Sequence, residues 1–399
     1  MIMKLSQFAQ LLKPSETLAV STKAKTLRAQ GQDIIDFGLG EPDFNTPDNI
    51  IRAAEHAMAE GFTKYTPPPG LPELRRAVAE KFKRENNLDY TPDEIIISCG
   101  AKHVLYNLSR LLVEAGDEVI IPGPCWVTYP AQVEMAGGTP VIIPTTAEDN
   151  FKMTGEVLRR YLTPKTKGII LNSPCNPTGT VYTPDELEDL ARVLMDTELF
   201  VITDEIYEHL VYDGVKQISI ATLDPELKAR CIVVNGFSKT YAMTGWRLGY
   251  CAGPAELIEM YGRLQSQSTS NATSFAQVAG IEALNGPQDS VQVMVREYEH
   301  RRNFVVQRLN AMTGVSCNMP KGAFYVFPKI ENLFGRAAQG RQLQTSMDVT
   351  DYLLEAAGVA VVPGEAFCDD RYIRISYATS MEALEAGLDR MEHAIQQLT

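Results

Sequence analysis

The chain is short of positive charge, poor in histidine and without a long apolar run. Its 399 residues carry 37 Lys and Arg against 50 Asp and Glu, a formal charge of −13. An acidic surface of this size disfavours a protein that grips nucleic acid by neutralising phosphates, although local basic pockets stay open. The five histidines (His56, His103, His209, His300, His393) show no metal-ligand spacing, so no metal is expected. Seven cysteines (Cys99, Cys125, Cys175, Cys231, Cys251, Cys317, Cys368) are odd in number, scattered and without a CxxC pair. That argues against a zinc site or a disulfide framework and fits a reducing cytoplasm. No segment approaches the ~18 consecutive apolar residues of a membrane span, so no membrane partner is expected. The opening MIMKLSQFAQLLKPSE is too short in its apolar stretch, and too interrupted, for a signal peptide.

What is present is the composition of an ordinary globular protein, 45% hydrophobic and 22% charged, long enough for two or three intertwined units. Short apolar runs bounded by turn residues recur at Ile95 to Ser98, Glu118 to Ile121, Pro140 to Ile143, Gly168 to Leu171, Phe200 to Thr203, Cys231 to Val234 and Leu248 to Ala252. Most are unbroken rather than alternating, the pattern of strands covered on both faces, and helical stretches such as Pro184 to Leu194 lie between them. The expectation is an α/β fold, a seven-stranded mostly parallel sheet with helices on both faces. From about residue 290 the texture becomes that of a smaller α+β unit: a helix at Val291 to Asn310, strands at Gly322 to Phe327 and Tyr372 to Ser376, and a closing helix at Met381 to Gln397. An isolated strand at Ile34 to Leu39 is expected to join that unit. The domains are then 1–47 packing with the small domain, 48–290 as the large domain and 291–399 as the small one.

In parallel sheets ligands gather beyond the strand ends, so the residues just after each run carry the functional signal. Gly100 and Ala101 open a helix after Ile95 to Ser98, a bland turn or an anion site. Asn172-Ser173-Pro174-Cys175-Asn176-Pro177-Thr178-Gly179 comes after another run and could be turns alone. Asp204, with Tyr207 three residues on, is a helix cap or a partner for a cationic ligand atom. The sharpest segment is NGFSKTYAMTGWRLGY from Asn235, where Lys239 stands among small and hydroxyl residues eight positions before Arg247. A lysine amine in such surroundings is a possible nucleophile, and an arginine is an anion clamp.

These motifs resemble those of the fold-type I pyridoxal-phosphate enzymes, and within them the class I aminotransferases. The likeness runs from about residue 14 to the C-terminus: GEPDFNTP at Gly40, KYTPPPG at Lys64, SCGAK at Ser98, GPCWVTYP at Gly123, NSPCNPTG at Asn172, DEIYEHL at Asp204, GAFYVF at Gly322 and RISYATS at Arg374. The resemblance implies a fold-type I transferase with pyridoxal 5′-phosphate (PLP) as cofactor. It implies that Lys239 bonds the cofactor and carries the proton, that Asp204 pairs with the pyridine nitrogen, and that Tyr207 and Asn176 hold the phenolic oxygen. Trp126 would stack on the ring. Gly100, Ala101, Ser238 and Arg247 would hold the phosphate, with Tyr65 reaching the phosphate of a neighbouring subunit in a homodimer with shared sites. Arg374 would bind the substrate α-carboxylate, helped by Asn176 and the Gly40 backbone.

The sequence is most similar to the bacterial aspartate aminotransferase branch that meets acidic substrates with a lysine, here Lys102, and a threonine, here Thr17. The substrates implied are amino acids and 2-oxo acids, foremost L-aspartate and 2-oxoglutarate. Alternatives are an aminotransferase for prephenate, aromatic or aliphatic amino acids, a carbon–sulfur lyase, or a non-catalytic regulator, for which a DNA-binding appendage is missing. Cys125, Cys175 and His103 depart from the usual residues of the pattern, and the last two bear on side-chain preference.

Overall fold

Alternate residues along the central strands feed two separate apolar clusters, and this is what builds the molecule in layers. The computed structural model describes residues 3–6, 9, 12, 16–338 and 340–399, the side chains of residues 16–21 and 341 excepted. A two-residue strand β1 (Ile35–Asp36) precedes β2 (Ile95–Ser98), β3 (Glu118–Gly123), β4 (Thr139–Pro144), β5 (Thr166–Asn172), β6 (Phe200–Asp204), β7 (Cys231–Gly236) and β8 (Gly249–Ala252). Strands β2 to β8 form one seven-stranded sheet in the order β2-β8-β7-β6-β5-β3-β4, in which β8 runs against its neighbours β2 and β7. Ile169, Leu171, Val201 and Val233 enter one cluster, while Ile170, Ile202, Ile232 and Val234 enter the other. A strand with both faces covered needs apolar side chains at every position, hence the unbroken runs.

The covering helices start where their sequences say they should. Pro184–Met195 follows a capping box in which Thr183 and Glu186 satisfy each other's backbone N–H groups, with Pro184 in the first turn. The helix opening after β2 is Ala101–Leu112. Beyond the sheet come the 23-residue helix Asp289–Ala311, a three-stranded antiparallel sheet in the order Val362–Pro363, Ile373–Ser376, Tyr325–Val326, and the closing helix Met381–Gln396. The strand expected over Gly322 to Phe327 shrinks to Tyr325–Val326. Ala323 adopts φ +57, its N–H goes to Leu210 O, and the Gly322 N–H goes to Gly179 O, so these residues leave the ladder. β1 pairs in parallel with Val359–Ala360, in the C-terminal part of the chain. Among the described residues no helix is long and apolar enough to cross a membrane.

Candidate active site

Five strands of the large sheet deliver chemistry to one edge. β5, β6 and β7 end there in Asn172, Asp204 and Gly236, and β3 and β2 lead into the turns holding Trp126 and Gly100-Ala101-Lys102. Because β8 runs the other way, it begins at this edge and places Arg247, two residues before it, beside the ends of the others. A cavity of about 390 Å³ opens there, lined by Ala101, Lys102, Trp126, Tyr129, Asn172, Asn176, Asp204, Tyr207, Ser238, Lys239, Arg247, Tyr325, Arg374 and the strap Gly38-Leu39-Gly40-Glu41.

At its floor Asp204 is 2% exposed, and burial raises its carboxyl to about 6 against the opposing pull of its hydrogen bonds and of Lys239. Tyr129 Oη donates to Asp204 Oδ2 at 2.8 Å, and the Ile206 N–H approaches Oδ1 at 3.3 Å. Lys239 Nζ is hydrogen-bonded to Gly40 O. Burial lowers this amine to about 8, helped by Arg374 and Arg247 and opposed by Glu41 and Asp204. Tyr207 Oη lies 3.0 Å from Tyr325 Oη. Glu208, on the same turn as Tyr207, is buried and binds Lys81, Asn86 Nδ2 at 2.7 Å and Asn235 Nδ2 at 2.6 Å, which fixes the loop after β6 to β7.

A relay of amides joins the floor to the wall. Asn172 Nδ2 donates to Asp204 O at 2.9 Å, Asn176 N donates to Asn172 Oδ1 at 2.9 Å, and Arg374 Nη1 donates to Asn176 Oδ1 at 3.1 Å. Arg374 also donates from Nη2 to Gly38 O at 2.7 Å and lies over the Tyr325 ring at 4.5 Å. Burial holds its guanidinium below the usual value, and its Nε has no partner among the described residues. On the opposite side of β6, a Cβ on Gly249 would stand 2.5 Å from Ala101 N, and one on Gly100 (φ +90) would stand 2.6 Å from Arg247 Nη2. Only glycine lets a helix N-terminus and a guanidinium come this close, which makes a concave anion cradle. Lys102 Nζ sits 4.9 Å from the Trp126 ring, and its pKa is lowered by partial burial and then by Arg247.

The sequence-derived set therefore converges, with two exceptions. Tyr65 is 90% exposed and away from the cavity of its own chain. Thr17 lies on the helix Glu16–Ala29, but its side chain is outside the described residues. Neither Cys175 nor His103 lines the cavity; Cys175 Sγ packs behind it, 3.9 Å from Pro124 O. Tyr129, Asn172 and Tyr325 were not singled out from sequence. For Tyr129 the signal was there, three residues after Trp126 at helical spacing; for Tyr325 it was the GAFYVF motif.

A mostly parallel sheet with a lysine, a buried aspartate and an anion cradle at its strand ends, beside a small antiparallel unit carrying an arginine, defines a fold-type I pyridoxal-phosphate transferase. The family model "Aminotransferase class I and II" matches residues 32–391. The chain belongs to that family. It is 49% identical to an aspartate aminotransferase of Bacillus sp. (strain YM-2), over 98% of this chain and 99% of that one. It is also 49% identical to a probable aspartate/prephenate aminotransferase of Rhizobium leguminosarum bv. phaseoli, over 96% of each. Among solved structures, the aspartate aminotransferase of Rhizobium meliloti superposes with a TM-score of 0.96 at 42% identity, covering 100% of both chains. That of Thermus thermophilus with maleate gives 0.92 at 42% identity, covering 98% of this chain and 100% of the other.

Proposed function

We propose that the chain moves the α-amino group of an acidic amino acid, foremost L-aspartate, to 2-oxoglutarate, giving oxaloacetate and L-glutamate. The carrying observation is that one cavity, whose lining also includes Lys239, Arg247 and the exposed Lys25, presents two further cations, the buried Arg374 and, beside Trp126, Lys102. Two carboxylates on one substrate would satisfy both. The names of the Bacillus and Rhizobium relatives agree, as does the dicarboxylate maleate named with the Thermus structure.

Pyridoxal phosphate fits the donors present. The cradle of Gly100, Ala101, Ser238 and Arg247 would hold its phosphate, Trp126 would cover its ring, and Asp204 would face the ring nitrogen, with Tyr207 and Asn176 at the phenolic oxygen. Bound, the cofactor supplies an aldehyde that takes up an amino group and a ring that draws electrons from Cα. Lys239 would bond the cofactor and, once released, move the proton from the substrate Cα. An amine lowered to about 8 is about half free of its proton at that pH and increasingly so above it, as a base must be. Arg374 would orient the α-carboxylate by a two-pronged pair, and the Gly40 backbone would lie against it. Thr17 would assist Lys102.

Lys102→Ala should lower kcat/KM for aspartate about tenfold to a hundredfold, the worth of a charge-assisted hydrogen bond, and leave alanine and phenylalanine unchanged. An equal loss for all three amino acids would refute the assignment. Prephenate, which also bears a second carboxylate, is the second reading, favoured by the relatives named for aspartate and prephenate. Comparing prephenate with 2-oxoglutarate as acceptors separates the two.

We further infer a homodimer in which Tyr65 serves the partner's site, a reading supported by the exposure of its ring. The division into 1–47 with 291–399 and 48–290 is supported by the separate sheets and the β1 pairing. Seven cysteines, none of them in a disulfide, support a reducing, cytoplasmic setting.

A further inference from the structure

Tyr129 is 2% exposed in the first turn of the helix Thr128–Ala136, three residues after Trp126, whose carbonyl accepts the Tyr129 N–H at 3.0 Å. The two rings meet edge to face, centroids 5.4 Å apart at 86°. Phenylalanine would fill that space equally well, so packing alone does not call for a hydroxyl. The hydroxyl has one described acceptor, Asp204 Oδ2 at 2.8 Å. A phenol can only donate to an ionised carboxylate, and burial followed by the Asp204 charge keeps this one protonated well above its usual range.

Resting on the function proposed above, we propose that Tyr129 is a positioning residue for transamination, whose hydroxyl orients the Asp204 carboxylate and keeps it ionised for the cofactor's ring nitrogen. Few other groups can do this. The titratable side chains coupled to Asp204, besides Tyr129 itself, are Lys239 from the loop after β7, which lowers its pKa, and Tyr207 from its own turn and Cys175 from the loop after β5, whose pKa values its charge raises. Of these only Lys239 favours the charged form, and its amine is the group committed to bonding the cofactor. The remaining support is the longer Ile206 N–H contact at 3.3 Å. A hydrogen bond to the charged form is thus what opposes burial when the lysine charge is gone. One helical turn also links Trp126, which would cover the ring, to the group that holds the ring's counter-ion.

The test is the affinity of the cofactor-free enzyme for pyridoxamine 5′-phosphate, which cannot bond to Lys239, measured from pH 5 to 9 by quenching of tryptophan fluorescence. Tyr129→Phe should weaken binding about tenfold to a hundredfold near neutrality. The pH below which affinity falls should move upward. Encoding 3-fluorotyrosine at position 129, an isosteric and stronger donor, should move that pH downward. In an Asp204→Asn background the Tyr129→Phe change should have little further effect. Unchanged affinity and pH midpoint in a Tyr129→Phe protein with native circular dichroism would overturn the proposal, as would a full additive loss in the Asp204→Asn background. If Tyr129→Phe fails to fold, the fluorotyrosine protein decides, and an unmoved midpoint overturns the proposal. A wild-type protein that neither binds the probe nor transaminates would overturn the proposed function itself; one that does both, beside an unaffected variant, would overturn only the role of Tyr129.

Discussion

Burying the Asp204 carboxylate carries a cost, and pH should reveal it. Its carboxyl rises from an ordinary 3.8 to about 6 because burial disfavours the anion. The folded state therefore binds the proton more tightly than the unfolded chain, so this group's contribution is most favourable below pH 4 and is lost as pH rises through 6. Replacing it by Asn removes that titration. The cofactor-free Asp204→Asn protein should be more stable than wild type at pH 7.5, by up to about 3 kcal/mol at 1.36 kcal/mol per pKa unit. The gain should vanish near pH 4. Urea melts at both pH values measure it, and an Asn variant no more stable at pH 7.5 would contradict the burial argument. The residue that destabilises the fold is the one assigned to the ring nitrogen, as is common where a site needs a buried charge.

Among the elements, the close approach of β8 to the helix Ala101–Leu112 is the least tolerant. Gly249→Ala would drive a methyl to 2.5 Å from Ala101 N and 2.7 Å from Gly100 C, both backbone atoms that cannot rotate away. We expect a loss of about 1–3 kcal/mol, the usual cost of overpacking, seen as a lower Tm, together with weaker cofactor binding. A variant with wild-type Tm and affinity would show that the cradle has slack. The seven large-sheet strands were legible in sequence because two-sided burial writes itself as unbroken apolar runs, and the turns after them carried most of the site. Two-residue strands such as Val359–Ala360 were not, since their pairing depends on β1 at the far end of the chain. Tyr129 was hidden for a related reason, its acceptor lying 75 residues away. His103 and Cys175 stand in motifs that reach the substrate side, yet neither lines the cavity, a matter of helix phase and loop path that spacing does not convey.

At the scale of the whole molecule, a shared site can be tested by complementation. Tyr65→Ala and Lys239→Ala each damage a different chain's contribution. Mixing the two inactive proteins under exchange conditions should place one intact site in each hybrid dimer, restoring about a quarter of wild-type activity per chain if exchange is random. No recovery, with hybrids demonstrated by mass, would remove Tyr65 from the partner's site. The pairing of β1 with Val359–Ala360 bears on a different matter, the order in which the protein is made. Arg374 and its acceptor Gly38 are 336 residues apart, and Ile35 can meet Val359 only after nearly the whole chain has emerged. The large sheet, complete at Ala252, can form well before that during synthesis. The first-made segment is therefore among the last to settle, and the arginine wall of the cavity closes only when the two ends of the chain meet.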